Sequence, residues 1–157
     1  MKKSTKPFLL VIVLLLALAL ASCNKFAGVV SGKKYIVLLV NTEDIRPGQD
    51  PKKYCSFSDQ IGDIQQYTTD VFPNDTVVWI GVSTSAPLEH QVEITMINHR
   101  SGHNILGPPR PVNGKVEGTI KDNATPGHKE TYVIHFRVIK PGGPPNSYIL
   151  DPILRVH

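Results

Sequence analysis

The chain has 157 residues with 13 Pro, 12 Gly, two Cys and a formal charge of +4, and the excess positive charge lies at its start. Without Lys2, Lys3 and Lys6 the 17 Lys and Arg fall to 14 against 13 Asp and Glu, so the remainder carries only +1. That removes the charge argument for nucleic acid, since no Lys/Arg cluster with interleaved aromatics follows, and the length suits one domain rather than a multi-domain enzyme. In chain order, a secretory signal comes first, over residues 1–22: three lysines, an apolar run from Phe8 to Leu20, then small residues before Cys23. At about 14 residues, that run is too short to span a bilayer permanently.

The cleavage site Leu20-Ala21-Ser22-Cys23 resembles the bacterial lipobox. The resemblance implies that Cys23 is acylated and becomes the mature amino terminus. A soluble domain is thereby anchored, because each buried acyl methylene contributes about 0.8 kcal/mol and several chains hold together. Aspartate directly after the cysteine marks inner-membrane retention in such lipoproteins; Asn24 stands there instead, which implies the outer membrane. The predicted partner is thus the membrane, reached through an N-terminal lipid in the cell envelope. Residues 23–33 form the tether, and the ten from Asn24 to Lys33 reach at most about 33 Å. With Cys23 lipidated, Cys55 stands alone, so no internal disulfide is expected even in an oxidising compartment. Between Tyr54 and Phe57 it reads as a small buried hydrophobe.

Residues 34–157 read as an all-β domain. Tyr35 to Val40 and Thr76 to Val82 are unbroken β-favouring runs suited to buried strands, the second apolar on both faces around Trp79. His90 to Ile97 alternates, placing Val92, Ile94 and Met96 on one side. Glu130 to Ile139 puts Tyr132, Ile134, Phe136 and Val138 inward and His135 and Arg137 outward. Tyr67 to Phe72, Val116 to Lys121 and Tyr148 to Val156 are shorter candidates, the last broken by a bulge at Asp151-Pro152 whose carboxylate takes up freed backbone N–H groups. Turn residues such as Pro73-Asn74-Asp75 and Asn113-Gly114 punctuate the runs, a spacing that predicts an antiparallel, immunoglobulin-like β-sandwich. Ser58 to Gln66 is the one helix candidate, weakened by Gly62; Pro108 to Pro111 is expected as an extended loop.

Pro73-Asn74-Asp75-Thr76-Val77-Val78-Trp79 resembles the Pro-Gly-Asp-Thr-Val-x-Trp signature of cupredoxins. Tyr132 to Phe136, Pro141-Gly142, Tyr148 and the terminal Ile153 to Val156 follow the order of their last two strands. The resemblance covers most of 34–157 and implies a Greek-key, cupredoxin-like sandwich. Blue-copper members carry Cys, His and commonly Met in the turn between those strands. Here Tyr148 to Ile153 contains none of them, so no copper cofactor is expected.

Other chemistry is sparse. His99 and His103 lie four apart on a loop, with His128 in a later turn, and these three are the candidate Zn or Cu ligands; a site needs three or four that converge. Gly-x-Ser-x-Gly, His-Glu-x-x-His and glycine-rich phosphate loops are missing from the sequence. Ser83, Ser85 and His90 are close in sequence without forming a recognisable triad. The chain therefore reads as a non-catalytic binding or assembly module offering an edge strand or loop tip to a protein or glycan, with a histidine-based metal-handling lipoprotein as the alternative.

Overall fold

The computed structural model describes residues 31–157. The signal 1–22, Cys23 and nearly all of the tether 23–33 lie outside the described residues. Ten strands follow: β1 Lys33–Val40, β2 Cys55–Phe57, β3 Thr68–Val71, β4 Thr76–Ser83, β5 Gln91–Gly102, β6 Arg110–Val112, β7 Lys115–Thr119, β8 Lys129–Ile139, β9 Asn146–Leu150 and β10 Ile153–Val156. Sheet A runs β2-β1-β4-β7-β6, and sheet B runs β3-β10-β8-β5 with β9 also on β8. The fold is the expected all-β sandwich, its core filled by alternate inward residues of both sheets.

Both sheets are mixed rather than purely antiparallel. β1 pairs with β4 in parallel along its whole length, Lys33 opposite Thr76 through Val40 opposite Ser83, and β3 pairs with β10 in parallel. Parallel neighbours need a long crossover, here supplied by β2, β3 and their loops. The two unbroken apolar runs thus become the central pair of sheet A, flanked by β2 and β7.

The Pro73-Asn74-Asp75 turn shows why β4 starts where it does. Asn74 adopts φ 69°, a left-handed conformation that asparagine tolerates better than most residues. Buried Asp75 accepts N–H bonds from Phe72 at 2.9 Å and Gly32 at 2.7 Å, tying the entry of β1 to the turn before β4. Inside, the Trp79 indole N–H donates to the Tyr132 hydroxyl at 3.1 Å with the rings edge to face, joining the two sheets through the most buried aromatic pair.

Three local expectations change. In β5 the register on β8 shifts between Ile94 and Met96. This bulge inserts one residue, so Met96 points out and Ile97 takes the inward place. Around Asp151-Pro152 there is no bulge: Leu150 faces Ile134 and Ile153 faces Thr131, so both chains advance equally and Tyr148, Leu150, Pro152, Leu154 and Val156 are all buried in one alternating series. Proline's missing N–H interrupts the ladder without resetting it. Asp151 accordingly pairs with Arg100 at 3.0 Å and Lys52 at 3.7 Å instead of capping backbone N–H groups. The helix candidate reduces to a 3-10 turn at Ile64–Gln66, with Gly62 at φ 86° and Ile61 fully exposed. The Pro108 to Pro111 loop ends in the short edge strand β6.

Candidate functional site

Of the three candidate metal ligands, two meet and the third bonds elsewhere. His103 and His128 stack with ring centroids 3.9 Å apart and planes 9° from parallel. A metal sits in the plane of an imidazole on its nitrogen lone pair, and two stacked parallel rings share no such point. Thr125 moreover occupies both nitrogens of His128, its N–H at 3.3 Å from Nδ1 and its hydroxyl at 2.7 Å from Nε2. His99 stands apart from the stack, its Nδ1 3.0 Å from Glu130 Oε1. Among the described residues, no group of three His, Cys, Asp or Glu side chains converges.

Glu130 is the residue that sequence reasoning passed over. It is 1% exposed, and its other oxygen, Oε2, accepts the N–H groups of Ile105 at 2.7 Å and Leu106 at 2.8 Å. The 105–107 segment is in turn bonded to the end of β7 and its following turn, through Gly107 N–H to Thr119 and Lys121 N–H to Ile105. Glu130 therefore staples β8 of sheet B to a loop held by sheet A. An open cleft of about 360 Å³ lies beside it, lined by Asn98, His99, Asn104, Pro108 and Lys121. Both carboxylate oxygens are already engaged, and Lys121 Nζ is taken by the Asn104 backbone and side-chain oxygens at 2.8 and 2.7 Å. Glu130 and Lys121 each have partners of their own and do not pair with each other. A signal for Glu130 was present in the sequence: it has the same parity in β8 as Tyr132, Ile134 and Phe136.

Ser83, Ser85 and His90 do meet, around Thr42. Its hydroxyl lies 2.7 Å from Ser83 Oγ, 3.2 Å from Ser85 Oγ and 2.8 Å from His90 Nδ1. Thr42 and Ser83 are buried, Ser85 and His90 are partly exposed, and Ser83 and His90 line an open cleft of about 490 Å³. Among the described residues, no carboxylate hydrogen-bonds His90 to complete a triad. The cluster locks the end of β1 to the end of β4. Cys55 packs against the core. Burial, and secondarily the charge of Asp50, pushes its thiol up to about 12, far from the thiolate that reactivity requires.

The remaining candidate is a surface. On the outer face of sheet A, β1 and β4 set Tyr35 against Val78, Val37 against Ile80 and Leu39 against Val82. Tyr35 is 53% exposed and Val82 37%; Val37, Leu39 and Ile80 are half-buried, and Val78 is buried between Tyr35 and Glu117 in the register. Val112 of β6 adds a further exposed apolar side chain. The edges are poorer templates for a partner strand. β2 and β6 are three residues long, β3 four and β9 five, β6 contains Pro111, and the longest edge among the described residues, β5, is broken by two register shifts.

No family model matches the chain, and no curated protein does. Among solved structures it is similar to the crystal structure of the inclusion body protein PixA from Burkholderia cenocepacia J2315, with a TM-score of 0.66 and 12% sequence identity over 84% of this chain and 99% of that one. At that identity the likeness shows a shared sandwich fold and nothing of its use.

Proposed function

We propose that this chain is an exported lipoprotein, acylated at Cys23 and held in the cell envelope on the outer-membrane side. Its copper-free, cupredoxin-like sandwich acts as a non-catalytic binding or assembly module. The observation that carries the module reading is the outer face of sheet A. Strands of a parallel pair are ordinarily covered on both faces, and β1 and β4 carry apolar side chains on both, yet only the inner one is packed within the sandwich. A sheet that keeps its second face apolar is built to be covered. The Glu130 cleft, whose charged groups already have partners, and the Thr42 cluster, in which no carboxylate among the described residues bonds His90, support a use other than catalysis. The solved neighbour's description as an inclusion body protein, which names an assembly rather than a reaction, leans the same way.

Lipid attachment is tested by isolating the protein from membranes and measuring the mass of its first peptide. The expected result is an amino terminus at Cys23 carrying acyl chains, with Cys23→Ala yielding an uncleaved or released species without them. An unmodified Cys23, or a Cys23→Ala protein that partitions with membranes at unchanged mature mass, would sink the anchor. The module reading is tested separately by replacing Ile80 with Asp. Loss of association with the protein's partner surface, at retained folding, is expected, and full retention of association counts against it.

A further inference from the structure

We infer that the outer face of sheet A docks on an anionic phospholipid surface, so that the sandwich lies on the bilayer that anchors it; this rests on the lipid-anchor reading above. The occupant is identified by three features of that face. The first is how the chain enters it. β1 begins at Lys33, at most about 33 Å of extended chain from the cysteine whose acyl chains would be in the membrane, and Lys33, Tyr35, Val37 and Leu39 are successive outward residues of that strand. A tether of at most that reach keeps the face of β1 within range of the bilayer.

The second feature is the charge around the apolar strip. Lys33, Lys115 and Arg110 share its parity: Lys33 is level with Thr76, Arg110 opposite Glu117 and Lys115 opposite Val112. The one carboxylate among them, Glu117, is already paired with Lys33 at 3.4 Å. An apolar centre rimmed by unbalanced cations complements acyl chains beneath anionic headgroups. Third, Tyr35 stands at the tether end of the strip, the level at which an amphipathic ring spans the headgroup boundary. A second copy of this face would bring the same cations against one another, which disfavours a face-to-face dimer.

The test uses the full acylated protein in vesicles of phosphatidylethanolamine with phosphatidylglycerol and, separately, of phosphatidylcholine. An environment-sensitive fluorophore is placed by Val82→Cys on the sheet A face or by Ile149→Cys on the sheet B face, with Cys55→Ser to leave one free thiol and Trp79 fluorescence to report folding. A lipid-borne quencher should suppress the Val82 probe several-fold more than the Ile149 probe, and more strongly on the anionic vesicles. Adding Val37→Asp should abolish the difference while the acylated protein stays vesicle-bound. Equal quenching of both probes, or of neither, on protein with acyl mass at Cys23 overturns the docking face and leaves the anchor standing. Absence of acyl mass, seen before any vesicle is added, overturns the anchor and the inference with it. Shielding of the Val82 probe without lipid, by a second copy or a co-purifying protein, also overturns it.

Discussion

The outer faces of the two sheets cover the same core and are finished in opposite ways. Across sheet B, Glu93 pairs with Arg137 at 2.8 Å, Asp70 with Arg155 at 2.7 Å and Asp151 with Arg100 at 3.0 Å. Its exposed apolar residues, Met96 and Ile149, flank His135 in a single row. Across the centre of sheet A the outward positions of β1 and β4 are Tyr35, Val37, Leu39, Val78, Ile80 and Val82, with one ion pair at the rim. Surface ion pairs contribute little stability. What they do is make a face that stays in water, and scattered apolar residues on such a face need no partner. The continuous strip on sheet A is different in kind, and it is this apolar face that the proposed docking uses.

The sharpest way to break this comparison is to cross sheet A at one place. Trp79 and Ile80 are neighbours in β4 and point to opposite faces. Trp79 is fully buried and bonded to Tyr132. Trp79→Ala should cost about 3–5 kcal/mol, and Phe136→Ala on β8 a similar amount. Ile80→Ser, on the outer face, should cost under about 1 kcal/mol. Urea midpoints of the three variants in detergent solution decide the matter. A midpoint for Ile80→Ser as low as that for Trp79→Ala would mean that the outer strip is packed like a core and is not free for a partner.

A second test sets a buried carboxylate against one on the face of sheet B. Glu130→Ala strands the N–H groups of Ile105 and Leu106 and leaves His99 unpaired. At ~1–3 kcal/mol for each buried donor without an acceptor, a loss of about 3 kcal/mol is expected, part of it regained by Glu130→Gln, which keeps one acceptor oxygen. Glu93→Ala, which frees only the half-exposed Arg137, should cost under about 1 kcal/mol. Amide exchange at Ile105 and Leu106 should accelerate in Glu130→Ala alone. Equal protection in both variants would show that the loop does not depend on the staple.

How far these features can be seen in the sequence depends on how local their cause is. β8 is legible throughout, because a strand packed on one side alternates, and even Glu130 announces itself by falling in phase with Tyr132 and Ile134. The unbroken runs of β1 and β4 signal strands flanked on both sides, but not which strand lies alongside. The parallel pairing of β1 with β4 is decided by the 35-residue crossover 41–75, whose route no local pattern encodes. The bulge in β5 escapes for a related reason: whether Thr95 is an extra residue depends on what β8 offers opposite it. The histidines mislead because spacing along the chain is not direction: His99 lies within β5, opposite Tyr132, and not on the expected loop. His103 and His128 meet only where the chain between β5 and β6 passes the turn before β8, and His99 is drawn to a carboxylate 31 residues away. The proposed acylation at Cys23 rests on sequence: the four-residue lipobox resemblance behind a lysine-rich start and an apolar run.

The smallest expected effect concerns the solvent-adapted face itself. Asp70 on edge strand β3 takes two bonds from the Arg155 guanidinium, at 2.7 and 3.0 Å, and lies 3.0 Å from His157 Nε2. The Arg155 hydrogen bonds, against the opposing effect of burial, hold its carboxyl below the usual carboxylate range, with the charge of Arg155 and the hydrogen bond and charge of His157 acting in the same direction. A carboxylate whose folded pKa is depressed adds stability above its unfolded value of about 3.9, and loses that contribution as the pH falls through the lower folded value. The pair is nearly half-exposed, so salt screens it and Asp70→Asn should cost under about 1 kcal/mol at neutral pH. The gap between parent and Asp70→Asn in urea midpoint should hold from neutral pH down to about 4, close below that, and shrink in high salt. A gap that persists unchanged in acid would mean that Asp70 holds β3 to β10 by hydrogen-bond geometry alone. The face of sheet B would then owe its solubility to polarity rather than to paired charge, and the contrast with sheet A would reduce to polar against apolar.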